Sequence, residues 1–129
     1  MMRKAKRSTL VTNLDIIFSK YIRLRYADHA GMVECFTCGH RDHYKNVDAG
    51  HFQSRKHYAT RWHEDNVQVQ CKKCNMYYGG EQFKYAKKLG EEKAEELWRL
   101  AHETVKISDY ELREMIQLYK EKVKQLESR

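Results

Sequence analysis

Cys35-Phe36-Thr37-Cys38-Gly39 and Cys71-Lys72-Lys73-Cys74-Asn75 are the stretches that decide how this chain folds, with Asp48-Ala49-Gly50-His51-Phe52 between them. Each of the outer two is a C-x2-C knuckle, and 32 residues separate the pairs. All four cysteines of the chain lie in them. Two such pairs supply the ligand set of one tetrahedral zinc ion. A redox C-x-x-C is the competing reading, and no thioredoxin-like βαβ pattern surrounds either pair to favour it. Four thiolates leave zinc no open position, so the centre is read as structural. The spacing exceeds that of a simple ribbon, so the intervening segment must itself be structured. In small modules a closed site of this kind contributes ~10 kcal/mol of folding free energy.

Working outward, the 129 residues fit a single domain, 1–129. A hydrophobic fraction of 41% permits a core, while a charged fraction of 33% requires a densely charged surface. No apolar run is long enough to span a bilayer, and the segment after the basic N-terminus lacks the apolar centre of a signal peptide. The expectation is a cytoplasmic protein with no membrane partner. The net charge is +7, unevenly spread. Residues 1–80 hold 14 Lys/Arg against 7 Asp/Glu, whereas residues 81–129 hold 11 of each. The positive excess thus belongs to the half that contains the cysteines, which suits a polyanion such as nucleic acid.

Residues 1–10 read as a basic arm. A helix is expected over 12–30, with Thr12 as N-cap and an apolar face of Leu14, Ile17, Phe18, Tyr21, Ile22 and Leu24. Met32-Val33-Glu34 is an extended lead into the first knuckle. Asn46 to Phe52 and Val67 to Gln70 read as strands, the second alternating at period two. Gln53 to Asn66 between them reads as a polar loop, and 32–80 forms the central unit. Residues 81–129 read as three helices: Glu81 to Leu89, closed by Gly90; Glu91 to Glu103; and one from Ser108, whose Ser108-Asp109-Tyr110-Glu111 is a capping box. The last carries the stripe Leu112, Met115, Ile116, Tyr119, Val123, Leu126. It serves either packing on its own domain or, read as near-heptad, a homodimer contact.

His51 ends a strand beside Gly50, and a neutral imidazole there can take a proton from water; as one of seven histidines it reads on its own more readily as a structural or surface residue. Asn75 follows the second knuckle and either caps a turn or offers an amide oxygen to a hard divalent cation. Asn66 is unspecific alone. Asp48 is the carboxylate nearest His51 in the sequence, and a turn role and a metal role stand equal for it. Arg23 and Arg25 on the first helix, with Arg55, Lys56, Arg61, Lys72 and Lys73, make a basic neighbourhood suited to phosphates. Tyr44, Tyr58, Trp62, Tyr77 and Tyr78 interleave with them, either as stacking surfaces for unstacked bases or as a small core; Trp62 reads as core.

Together these residues resemble the His-Me finger (HNH) nucleases, in which a ββα unit carries a general-base histidine at the end of its first strand. The resemblance implies an α+β fold: a zinc-stapled ββα-metal finger with two C-x-x-C knuckles, flanked by an N-terminal helix and C-terminal helices. A closer similarity covers most of the chain. Leu14-Asp15, Tyr21-Ile22-Arg23-Leu24-Arg25, Cys35-Phe36-Thr37-Cys38-Gly39, Gly50-His51-Phe52-Gln53-Ser54-Arg55, Arg61-Trp62, Asn66-Val67 and Gln70-Cys71-Lys72-Lys73-Cys74-Asn75 resemble the phage recombination family NinG, also called Rap. That resemblance implies a structure-specific DNA endonuclease, phage-encoded and acting in the host cytoplasm on Holliday junctions and D-loops. It further implies a homodimer and recombination-protein partners. It makes His51 the base, Asn66 the residue that orients it, and Asn75 a ligand of catalytic Mg2+ or Mn2+. One position departs from the pattern: an aspartate is expected directly before the histidine, and Gly50 stands there. Asp48 and His63 are the substitutes at hand. Two other readings stay open, a non-catalytic zinc module that binds DNA and a general HNH nuclease on linear duplex.

The cysteine reading makes a direct prediction. Cys71→Ala should release zinc and collapse the melting transition of the whole domain. An unchanged melting temperature with zinc lost would rule out a structural metal.

Overall fold

A computed structural model describes residues 5–129. The chain is α+β, with five helices and two small antiparallel sheets among the described residues. Helix α1 spans Arg7–Leu24. Strands β1 (Met32–Glu34) and β2 (Arg41–His43) pair around the first knuckle, with Val33 opposite Asp42. A 3-10 turn at Tyr44–Asn46 leads into β3 (Asp48–His51). The short helix α2 (Tyr58–Arg61) interrupts the return to β4 (Val67–Gln70). A π-helical turn at Lys73–Tyr77 follows, then α3 (Gln82–Leu89), α4 (Glu91–Ala101) and α5 (Asp109–Glu127).

The core forms where α1 and α5 pack together over the β3–β4 hairpin. Leu10, Leu14, Phe18 and Ile22 repeat every four residues on α1 and meet Leu112, Ile116 and Tyr119 of α5, with Trp62 and Val67 beneath them. Spacing of four places these side chains on one face of a helix, so a single stripe becomes the buried seam. Phe18 and Tyr119 meet edge to face at 4.9 Å. At the seam's edge, the Glu64 carboxylate accepts hydrogen bonds from the hydroxyls of Tyr21 and Tyr119, each at 2.9 Å, and so ties α1, α5 and the loop before β4.

Several expectations are corrected. Thr12 is not the N-cap: α1 begins at Arg7, because Leu10 is already in the core stripe one turn before Leu14. It ends at Leu24, and the Asp28 carboxylate then accepts from the amides of Ala30 and Met32 to turn the chain, so the helix does not reach residue 30. Of the arm expected at 1–10, residues 1–4 lie outside the described residues, and α1 claims 7–10. The stripe on α5 is spent within the chain: Leu112, Ile116, Tyr119 and Val123 are buried, the first three against α1, so it offers no face to a second copy. The capping box at Ser108 forms as expected, with Ser108 Oγ accepting from the Glu111 amide at 3.0 Å. The β2 strand and α2 were not foreseen. Each is only three or four residues long, too short for a periodic signal.

Because Leu112 is fully buried between α1 and α5, Leu112→Ala should lower unfolding free energy by ~2–5 kcal/mol in urea titration. Tyr110→Ala, on an exposed position of the same helix, should stay within ~0.5 kcal/mol. Equal effects would mean that this face is not the core.

Candidate active-site cleft and metal centre

The two knuckles meet. The Sγ atoms of Cys35, Cys38, Cys71 and Cys74 all lie within 4.8 Å of one another, and all but Cys38 are buried. Cys38 Sγ and Cys71 Sγ are 3.7 Å apart. Burial pushes the thiols of Cys38 and Cys74 above the ordinary range. Burial opposes ionisation of Cys35 as well, but hydrogen bonds from Thr37 and the surrounding backbone outweigh it and lower that thiol to about 6. Four such groups cannot all ionise side by side without a cation between them. The cluster therefore has the donors and the charge requirement of a zinc site and could hold such an ion.

The β3–β4 hairpin and the π-helical turn hang from this cluster. Around them lies a cleft of ≈ 620 Å³, lined on one side by Asp48, His51, Arg55 and Asn75 and on the other by Asp15 and Arg23 of α1. His51 sits at the last position of β3, opposite Val67. Its Nε2 lies 2.9 Å from the Arg61 carbonyl oxygen. A carbonyl only accepts, so Nε2 carries the proton and Nδ1 keeps a free lone pair. Desolvation by burial lowers the imidazole pKa below 6.5, with the Arg55 and Arg61 cations adding to it against the Arg61 carbonyl and Asp15. At neutral pH the ring is an uncharged base.

Arg61 is held in turn. Asp15 accepts from Arg61 Nε at 3.1 Å and from Nη2 at 2.6 Å, and also from Trp62 Nε1 at 2.9 Å. The carboxylate on α1 thereby fixes the backbone oxygen that orients His51. Asp15 is a positioning residue that sequence reasoning missed, although Leu14-Asp15 and Arg61-Trp62 are each among the stretches that carry the family resemblance. The expectation that Arg61 grips phosphate is corrected, since its guanidinium is committed to Asp15 and to the Arg55 carbonyl. Arg25 is corrected likewise: it donates to the carbonyls of Glu64 and Val67 and to Gln68 Oε1, and is nearly buried. Arg23 and Arg55 line the cleft, Arg23 with its Nε donating to Ser19 Oγ at 3.2 Å and its Nη1 to the Tyr44 carbonyl at 3.1 Å.

Asp48 and Asn75 come together, Asn75 Nδ2 donating to Asp48 Oδ2 at 3.0 Å. Lys72 Nζ pairs with Asp48 Oδ1 at 2.7 Å. The two thus form one oxygen-bearing group across the hairpin and the turn after the second knuckle. Asn66 lies elsewhere, fully buried. Its Nδ2 donates to the carbonyls of Gln53 and Thr60, and its Oδ1 accepts from the Gln53 amide at 2.8 Å. It closes the loop that leaves β3; its side chain makes no hydrogen bond to His51 and does not line the cleft. His63 is turned toward its own loop, accepting from the Asp65 amide, and brings nothing to Asp48. Lys56 and Lys73 are exposed but do not line the cleft.

The glycine before His51 has a physical cause. A Cβ at Gly50 would lie 2.6 Å from Cδ and 2.9 Å from Cγ of Gln70. Gln70 is fully buried, and its Nε2 donates to Thr37 Oγ1 at 3.1 Å and to the Gly80 carbonyl at 2.8 Å. The carboxamide that links the first knuckle to the turn after the second thus occupies the space of a side chain at position 50. Tyr85 of α3 completes the support, its hydroxyl donating to the Gly50 carbonyl at 2.7 Å.

A family model described as Bacteriophage Lambda NinG protein matches residues 2–129. No curated protein and no solved structure matches the chain.

Gly50→Asp should therefore destabilise the fold by ~1–3 kcal/mol, the range for overpacking, rather than supply a ligand. Most of that loss should vanish when it is measured in a Gln70→Ala background. Additive losses in a urea double-mutant cycle would exclude the clash as the cause.

Proposed function

The chain belongs to the bacteriophage lambda NinG family, and from that membership we propose that it is a metal-dependent DNA endonuclease of recombination. Its substrates would be branched intermediates such as Holliday junctions and D-loops, cut by phosphodiester hydrolysis. The observation that carries the reading is the state of His51: a neutral imidazole on a cleft, with its proton fixed on Nε2 by the Arg61 carbonyl.

In this reading Nδ1 of His51 takes a proton from the attacking water. Asp48 and Asn75 are the residues that would hold Mg2+ or Mn2+, both oxygen-seeking ions that need few protein ligands when phosphate and water complete the shell. Bound there, the ion would stabilise charge on the phosphate and the leaving 3′ oxygen. Arg55, and Arg23 through the Nη2 that its bonds to Ser19 and the Tyr44 carbonyl leave over, would hold the phosphate in line. Asp15 and Arg61 keep the base oriented, and Asn66 keeps its loop closed. The cysteines would hold structural zinc and take no part in the chemistry. Products would carry 5′-phosphate and 3′-hydroxyl ends. Resolving a two-fold junction takes two cuts, which favours a homodimer assembled through a face other than the α5 stripe.

The test uses zinc-loaded protein, a four-way junction and Mg2+. His51→Ala should cut ~10²–10⁴-fold more slowly, with junction affinity unchanged. Junction affinity is compared without added Mg2+ and without chelator, so that the structural zinc stays bound. The wild-type rate should fall as acid protonates His51, with a midpoint below the ordinary 6.5, and level off toward neutrality. Wild-type cutting by His51→Ala would remove it as the base. Tight junction binding without nicking in Mg2+ or Mn2+ would instead mark a non-catalytic zinc module, and sequence-dependent cutting of linear duplex a general HNH nuclease.

A further inference from the structure

One wall of the cleft is the turn from Met76 to Phe83, of which Met76, Gly79, Gly80 and Gln82 line the cavity. This turn carries four of the ten large apolar or aromatic side chains that are exposed among the described residues: Met76 (65%), Tyr77 (81%), Tyr78 (54%) and Phe83 (78%). Isolated exposed apolar residues are ordinary, but a cluster at the mouth of a polar cleft marks a contact surface. The backbone that presents them is strained. Gly79, Gly80 and Glu81 follow one another with φ of 59°, 88° and 53°, and the left-handed conformation is unfavourable at the non-glycine Glu81. The turn cannot relax, because the Gly80 amide donates to the Cys74 carbonyl at 2.8 Å while Gln70 Nε2 holds the Gly80 carbonyl. The knuckle and Gln70 thus hold the rings out in water.

The charge around these rings selects the partner. Residues 72–88 hold five lysines against the single Glu81; Lys84 pairs Glu81 at 3.1 Å and Lys72 pairs Asp48 at 2.7 Å, which leaves Lys73, Lys87 and Lys88 as the cations not held by a carboxylate. Lys73 Nζ stands 5.7 Å from the centre of the Tyr78 ring and Lys87 Nζ 5.5 Å from that of Phe83. Exposed rings interleaved with cations suit a polyanion that also offers flat apolar faces, and unpaired nucleobases do so where base pairs inside a duplex do not. We infer that the Met76–Phe83 rim is a base-stacking surface that takes unpaired bases of DNA beside a phosphate in the His51 cleft. This inference rests on DNA as the substrate and adds a physical basis for choosing a branch over a linear duplex.

Binding, not cleavage, tests it. Full-length zinc-loaded protein carrying His51→Ala is titrated without divalent ions into three probes: a single-stranded oligonucleotide, a linear duplex, and a four-way junction with 2-aminopurine at the branch point. With the rim intact, 2-aminopurine fluorescence should change on binding. Adding Tyr77→Ala and Phe83→Ala should abolish that change and weaken single-strand binding on the order of tenfold, with duplex affinity altered less than about twofold. Tryptophan at both positions should restore single-strand binding, and leucine should not. Full binding by the leucine variant would replace stacking with simple apolar contact and overturn the inference. So would equal weakening toward strand and duplex, or sedimentation showing that the rim joins two copies of the chain. Failure of the intact-rim protein to bind any DNA would overturn the DNA assignment itself, whereas DNA binding indifferent to the rim would overturn the stacking surface alone.

Discussion

Everything near His51 depends on the approach of two knuckles that lie far apart in the chain. Cys38 and Cys71 are brought to 3.7 Å, and with Cys35 and Cys74 they form a cluster too crowded to ionise without a cation. From its edges run the segments that build the cleft. Gln70 precedes Cys71 and braces Gly80; Asn75 follows Cys74 and reaches Asp48; the Phe36 amide bonds the Val69 carbonyl at 2.8 Å and fastens the first knuckle to β4. The hairpin has only four residues on each strand, too little to stand alone in water. It is held by the cysteine cluster on one side and by the α1–α5 seam on the other.

Two chains of contact then set the chemistry of the cleft. One runs from Asp15 through Arg61 to His51 and fixes a tautomer; the other runs from Thr37 through Gln70 to Gly80 and Gly50 and fixes a shape. The first explains why Arg61 is unavailable to a phosphate, since its guanidinium is spent on the Asp15 carboxylate and the Arg55 carbonyl. Arg25 is withdrawn separately, by the Glu64 and Val67 carbonyls and Gln68 Oε1. The second explains why glycine precedes the histidine. A buried carboxamide fills the space, and the nearest carboxylate is Asp48, two residues earlier in the strand and tied to Asn75.

The strongly periodic features of the chain were readable in advance. The β3 and β4 strands, the capping box at Ser108, the glycine that closes α3 and the stripe on α5 all rest on local spacing or local hydrogen bonding, and local rules suffice for them. The start of α1 was misjudged because Thr12 imitates an N-cap, while Leu10, the residue that extends the buried stripe, has meaning only once α5 is seen against it. The stripe on α5 could have served a partner or its own core, and periodicity is the same for both. Asp15 and Gln70 gave no local signal, since an aspartate inside an amphipathic helix and a glutamine in an alternating strand both look like solvent-facing residues.

The sequence by itself determined that two C-x2-C pairs must close around a loop, that the loop holds a strand ending at His51, and that positive charge gathers in that half of the chain. These follow from residue type and spacing, which the chain carries before it folds. The tertiary structure alone decided which proton His51 keeps, that Asp48 meets Asn75, which arginines face the cleft, and that Tyr77 and Phe83 stand in water rather than in the core. The physical reason is common to all four. Each depends on a donor, an acceptor or an apolar wall contributed by a distant segment, and such a partner has no trace in the local pattern until the knuckles and helices bring it into reach.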